Sequence, residues 1–168
     1  MPLSLWLAPP PDLNRRLAAA IVDLARRHGT TAFEPHVTLL GELEGPEAAL
    51  VPPVGVLARR LRPFEVRLDD VATGTEMFRC VYLTAVETPE LLGAHARARE
   101  ALGVTTAEAF RPHLSLVYGR LGEAEREAAR REAGGLLASF TADALHLVDT
   151  TGDVDGWRRL ARFVFGAA

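Results

Sequence analysis

Apolar positions along the chain alternate between a period of two and a period near 3.6, and the switches predict an α+β succession of roughly eleven elements. Leu3 to Ala8 alternates loosely and stops at Pro9-Pro10-Pro11, as a strand closed by prolines does. Asp12 is placed to cap a helix in which Leu13, Leu17, Ala20, Ile21 and Leu24 share a face and Gly29 supplies the stop. A strand follows at about residues 35 to 43. Residues 46–61 set Leu50, Val54, Leu57 and Leu61 on one helical face, but Pro52-Pro53 predicts a break into two short pieces. Phe64 to Asp69 alternates as a strand, Thr73-Gly74-Thr75 reads as a turn, and Phe78 to Val86 reads as an antiparallel partner.

Thr88 and Pro89 have the residue types of an N-cap and a first helical position, predicting a helix to Leu102. The polar stretch Gly103 to Ala109 feeds a second strand beginning near Phe110. Glu123 to Ala133 is helical in pattern, with Glu127 and Arg131 in the favourable i,i+4 order, and ends at Gly134-Gly135. Phe140 to Val148 reads as one strand, Asp149 to Asp155 as an acidic turn, and Trp157 to Phe165 as the last strand.

Two of these strands open alike: Phe33-Glu34-Pro35-His36-Val37-Thr38-Leu39 and Phe110-Arg111-Pro112-His113-Leu114-Ser115-Leu116. Their histidines occupy equivalent places in two halves of the chain. The echo is a weak internal duplication, and no low-complexity linker separates the halves. The expected organisation is one bilobal domain over residues 1–168. Its motif lobes lie at approximately 12–72 and 78–148, with the terminal strands completing the sheets.

With 168 residues, 48% of them apolar, the chain is long enough for one good core or two small lobes. The formal charge of −3 argues against a protein that wraps long nucleic acid, while permitting a small anion held by local donors. All 19 basic residues are arginines, and lysine and glutamine are absent. Cys80 is the only cysteine, which rules out an intrachain disulfide and a thiolate zinc site. The apolar run Leu3 to Ala8 is too short to span a membrane and lacks a preceding basic residue, so the expectation is a cytoplasmic monomer with no membrane association.

The chemistry is concentrated in the paired motifs. In a strand, residues i and i+2 share a face, so His36 should stand beside Thr38, and His113 beside Ser115. Two imidazoles can divide the hydrolysis of a cyclic phosphodiester, one as base and one as acid, because their ordinary pKa lies near neutrality. The Thr38 and Ser115 hydroxyls can donate to the non-bridging phosphate oxygens. The scheme needs no metal or other cofactor. Near-symmetry leaves open which histidine is base and which is acid. A histidine metal site is the rival reading of these residues, but neither motif offers an obvious carboxylate partner.

These paired motifs resemble those of the two-histidine (2H) phosphoesterase superfamily, and within it the cyclic phosphodiesterase branch. Ser4-Leu-Trp-Leu-Ala-Pro9, Thr73-Gly-Thr-Glu-Met-Phe-Arg-Cys-Val-Tyr82 and Pro112-His-Leu-Ser-Leu-Val-Tyr118 extend the likeness from the first strand to the last. The resemblance implies two antiparallel sheets with pseudo-twofold symmetry flanking a cleft, with helices outside. It implies hydrolysis of ADP-ribose 1″,2″-cyclic phosphate and nucleoside 2′,3′-cyclic phosphates, with His36 and His113 catalytic and Thr38, Ser115 and Tyr118 binding the phosphate. Strict alternation would turn Tyr118 away from His113, so its role requires a twist or bulge at the strand end. Pro52-Pro53 and the lack of the extra cysteines of plant-type members are departures from the pattern. An RNA 2′,3′-cyclic phosphodiesterase or 2′-5′ RNA ligase-like enzyme is the alternative within this chemistry. A non-catalytic nucleotide-binding module is the alternative outside it.

Other candidates have plainer readings. His28 suits a helix C-terminus, His95 a packed helix face, and His146 a structural role. Trp157 reads as core, whereas Trp6 could be core or could stack on a base. Arg79 reads as a solvated residue that could also meet a phosphate. Thr105-Thr106 could help close over a ligand or be ordinary loop, and Cys80 reads as an inert core thiol.

Overall fold

The computed structural model describes residues 2–105 and 109–166. Strands β1 (Leu3–Leu7) and β2 (Val37–Leu43) flank helix α1 (Pro11–His28). Helix α2 (Glu47–Arg60) leads to a hairpin of β3 (Phe64–Glu76) and β4 (Arg79–Ala85). Helix α3 (Pro89–Ala101), strand β5 (His113–Val117) and helix α4 (Glu123–Glu132) come next, followed by β6 (Ala138–Ala142), β7 (Ala144–Asp149) and β8 (Arg158–Val164). No helix among the described residues is long and apolar enough to cross a membrane.

The strands form one antiparallel sheet in the order β6-β3-β4-β5-β2-β1-β7-β8. Its centre is narrow: β2 and β5 pair only at Val37–Leu114, so two four-stranded half-sheets meet motif strand to motif strand. Alternation separates the two faces. Leu5, Leu7, Val37, Leu39, Leu114, Leu116, Leu145 and Leu147 are buried in one cluster with Leu17 and Ile21 of α1, Val54 and Leu57 of α2, and Leu91 and Ala98 of α3. Between them, Trp6, His36, Thr38, His113, Ser115 and His146 project to the opposite face. That face holds the cleft.

Four expectations change. Helix α2 runs unbroken through Pro52 and Pro53. The prolines remove backbone donors, but burial of Leu50, Val54, Leu57 and Ala58 against the core outweighs that local penalty. Thr73-Gly74-Thr75 lies inside β3, and the turn is at Met77-Phe78. Gly74 marks an irregularity in the pairing where the Arg79 carbonyl approaches so closely that a Cβ would sit 2.5 Å from its oxygen. Phe140 to Val148 is two strands, parted at Asp143, because β6 pairs with β3 at one edge while β7 pairs with β1 and β8 near the other. Finally, the position before α1's first residue is Pro10, and Asp12 lies in the first turn, paired with Arg15.

The half-sheets also divide the chain differently from the 12–72 and 78–148 partition. Residues 64–142 supply β3 to β6, and the two ends of the chain supply β1, β2, β7 and β8. The β3–β4 hairpin carries β3 into the half-sheet of the second motif. Thr106, of the Thr105-Thr106 pair, lies outside the described residues.

Candidate active site

Each motif uses its proline in the same way. His36 Nδ1 lies 2.6 Å from the Glu34 carbonyl, and His113 Nδ1 lies 2.8 Å from the Arg111 carbonyl, in each case across the intervening proline. A carbonyl only accepts, so Nδ1 carries the proton and Nε2 is left with the lone pair of the neutral ring. The antiparallel pairing at Val37–Leu114, continued by one residue on each side, sets His36 opposite Ser115 and Thr38 opposite His113. The four motif residues thus share one face at the sheet's narrow centre.

The two histidines differ in setting. His36 is 6% exposed and stacks on Trp6, with ring centroids 3.5 Å apart and planes 6° off parallel. Trp6 Nε1 donates to Ser4 Oγ, which donates to the Leu40 carbonyl, so the surface beneath His36 is itself held. Burial pushes the His36 pKa from 6.5 to about 4; the Glu34 carbonyl opposes the shift and His113 adds to it. His113 is half-buried, with Tyr82 edge-on to its ring. Its pKa is also lowered, first by burial and further by Arg79, while the Arg111 carbonyl and Glu76 push it back up.

Thr38 and His113 line a cleft of about 290 Å³ whose wall includes Arg79, Arg99 and Arg111. Ser115 is 5% exposed, and its hydroxyl donates to the Phe78 carbonyl at 2.8 Å. Tyr118 lies one residue beyond the end of β5, so strand alternation no longer governs it. Its ring stacks on Phe33 at 3.6 Å and meets Phe78 and Trp157 edge-on. Burial pushes its hydroxyl pKa up, partly offset by Ser115. The β4–β5 register shifts by one residue between Ser115 and Val117, so the irregularity expected at this strand end is present, and Tyr118 comes to Ser115 just beyond it.

Other sequence candidates fall into place. His95 Nδ1 lies 2.7 Å from the Leu39 carbonyl and its ring stacks on Phe110, while Cys80 is buried. Arg79, read as solvated, pairs with Glu76 and lines the cleft beside His113. Trp157, read as core, is half-buried among Trp6, Phe78 and Tyr118. Phe78, 53% exposed at the hairpin tip, was not singled out by its sequence. An aromatic residue in an apolar strand pattern looks like core until the hairpin register is known. Arg99 and Arg111 were missed for a similar reason, since they reach the cleft from α3 and from the approach to β5.

Comparison with known proteins agrees with this architecture. A family model described as the 2′-5′ RNA ligase superfamily matches residues 9–154. A cyclic phosphodiesterase of Arabidopsis thaliana is 30% identical over 139 residues, covering 82% of this chain and 76% of the relative. A 2′,3′-cyclic-nucleotide 3′-phosphodiesterase of Yarrowia lipolytica is 31% identical over 149 residues, covering 84% and 68% respectively. Among solved structures, TT0787 of Thermus thermophilus superposes with a TM-score of 0.68 over 99% of both chains, at 20% identity, and shares the fold.

Proposed function

The chain belongs to the 2′-5′ RNA ligase superfamily of two-histidine phosphoesterases, and from that premise we propose that it is a metal-independent cyclic phosphodiesterase acting on small nucleotides. The substrates we infer are ADP-ribose 1″,2″-cyclic phosphate and nucleoside 2′,3′-cyclic phosphates, met in the cytoplasm by a monomer. The observation that carries this reading is the duplicated latch: two imidazoles, each with Nδ1–H held by the carbonyl two residues upstream, on one face beside Thr38 and Ser115.

His36 is assigned as general base. The more strongly depressed group is the one that stands neutral while the other still holds a proton. His36 Nε2 takes a proton from water as the water oxygen bonds to phosphorus. The bond from phosphorus to the leaving ribose oxygen breaks, and protonated His113 gives that oxygen its Nε2 proton. A 2′,3′-cyclic ester yields the 2′-phosphate, and the ADP-ribose ester yields the 1″-phosphate. Thr38 and Ser115 hold the non-bridging oxygens, with Ser115 turning from the Phe78 carbonyl, and Tyr118 supports Ser115.

The test is turnover of 2′,3′-cyclic AMP and ADP-ribose 1″,2″-cyclic phosphate in EDTA, with product position read by phosphorus NMR. His36→Ala and His113→Ala should each lower kcat by roughly 10²- to 10⁴-fold, the usual worth of a general acid or base. Turnover that survives both substitutions, or that EDTA abolishes, overturns the mechanism. No turnover by folded wild type, with nucleotide binding retained, would instead identify a binding module.

The arginines of the cleft favour a second reading, an RNA 2′,3′-cyclic phosphate end as substrate. On that reading KM for an oligonucleotide rises steeply with salt, through release of counterions from several phosphates. A mononucleotide would respond weakly.

A further inference from the structure

Beyond the histidine pair, the same sheet face carries a second cavity of about 510 Å³, lined by the segment that follows β1 and by residues of β6, β7 and β8. Trp6 pairs across the sheet with Thr38 on one side and His146 on the other, and His146 pairs with Arg162. These four residues form one row over adjacent strands, about 4.8 Å per step, which puts His146 roughly 10 Å from Thr38.

His146 is 5% exposed, lines the cavity, and has a buried Nδ1 without a hydrogen-bond partner among the described residues. A buried ring nitrogen with nothing to bond is costly unless a bound group or a water meets it. Arg159 and Arg162 stand on the wall. Glu34 holds Arg159, and Asp143 holds Arg162 at 3.1 Å, each through one terminal nitrogen. A guanidinium has five donors, so each arginine is positioned by its carboxylate and keeps donors for an anion. Arg15 and Asn14 extend the wall from the start of α1. Asp12 pairs with Arg15 in the same way, so the three arginines are balanced by three carboxylates, and it is their remaining N–H donors and not a net positive charge that the cavity offers an anion.

Glu34 joins the two sites. Its carbonyl accepts from His36 and its carboxylate fixes Arg159. We propose that this cavity is a phosphate subsite that recognises the 5′-linked phosphate on the sugar bearing the cyclic ester. A ribose and its 5′-phosphate bridge the distance between the two sites. Such a phosphate is present in the diphosphate of ADP-ribose 1″,2″-cyclic phosphate and at the penultimate linkage of an RNA end, and is absent from 2′,3′-cyclic AMP. The inference rests on the phosphodiesterase reading for its substrate and on this cavity for its site.

The test compares kcat/KM for 2′,3′-cyclic AMP, its 5′-phosphorylated form, ADP-ribose 1″,2″-cyclic phosphate and the dinucleotide ending in a 2′,3′-cyclic phosphate. Wild type should prefer the 5′-phosphorylated substrates. Arg162→Gln should shrink that preference roughly tenfold or more, as loss of a charge-assisted hydrogen bond to phosphate predicts. Arg159→Gln serves the same purpose if Arg162→Gln does not fold. Loss confined to the ADP-ribose ester marks the diphosphate as the source; loss for the dinucleotide as well marks any 5′-phosphodiester. Preference unchanged within twofold in a folded variant overturns the subsite. If wild type turns over none of the four, the phosphodiesterase reading fails separately, and calorimetry with ADP-ribose decides the subsite. Binding weakened roughly tenfold by Arg162→Gln upholds it, and equal binding overturns it.

Discussion

At the scale of single residues, the two histidines owe their tautomer to the backbone. The residue before a proline is held in extended geometry, and in both motifs its carbonyl accepts the Nδ1 proton of the histidine that follows. What separates the two rings is burial, which is deeper at His36. A pH profile should show it. With His36 as the proposed base, which works neutral, kcat/KM should fall as pH drops through about 4. With His113 as the proposed acid, which works protonated, kcat/KM should fall again as pH rises through its own lowered value, below the ordinary 6.5. The resulting bell has both limbs on the acid side of neutrality, and an optimum above pH 7 in steady-state kcat/KM would contradict it. His-x-Thr and His-x-Ser were legible in the sequence because strand alternation is local. The Trp6 stack was not, since it depends on the register of β1 against β2.

At the scale of elements, packing overrides local preference in α2. Pro52 is exposed and sits in the helix interior, where it deprives the helix of a backbone hydrogen bond. Pro52→Ala should restore that bond and stabilise the protein by about 1–3 kcal/mol, the scale of proline's helix penalty, with catalysis unaltered. Chemical denaturation and turnover on the same sample check both halves of the statement. Most elements were readable from periodicity and caps: α3 begins at Thr88, whose hydroxyl accepts the Leu91 amide. The β6–β7 boundary was not readable. Both strands are apolar and short, and only their separate partners part them at Asp143.

At the scale of the whole molecule, folding buries two imidazoles, His36 and His146, on the cleft face of the sheet. His36 and His146 each have a pKa lowered to about 4, in both cases first by burial; Arg159 and Arg162 also lower His146. The unfolded chain accepts protons at about 6.5 that the folded chain refuses. Stability is therefore fully present above pH 6.5 and declines as pH falls toward 4. Urea titrations at pH 7, 6, 5 and 4 should show the midpoint decreasing, and His146→Gln, if it folds, should flatten the trend. A midpoint constant over that range would mean that neither ring is held neutral by the fold.

The alternation of apolar residues by itself determined that the chain is α+β, where most strands and helices lie, and that His36, Thr38, His113 and Ser115 face one way in pairs. Those are consequences of backbone geometry over a few residues. The motifs also carried the family resemblance that the comparisons support. Only the tertiary structure decided that the two motif strands touch at Val37–Leu114, that β3 belongs with the second motif, and that Tyr118, Phe78 and Trp157 gather near Trp6. It alone placed His146 and Arg162 in a row with Thr38. Such neighbours are far apart along the chain, and their meeting is set by strand order, register and core packing, for which a local pattern has no memory.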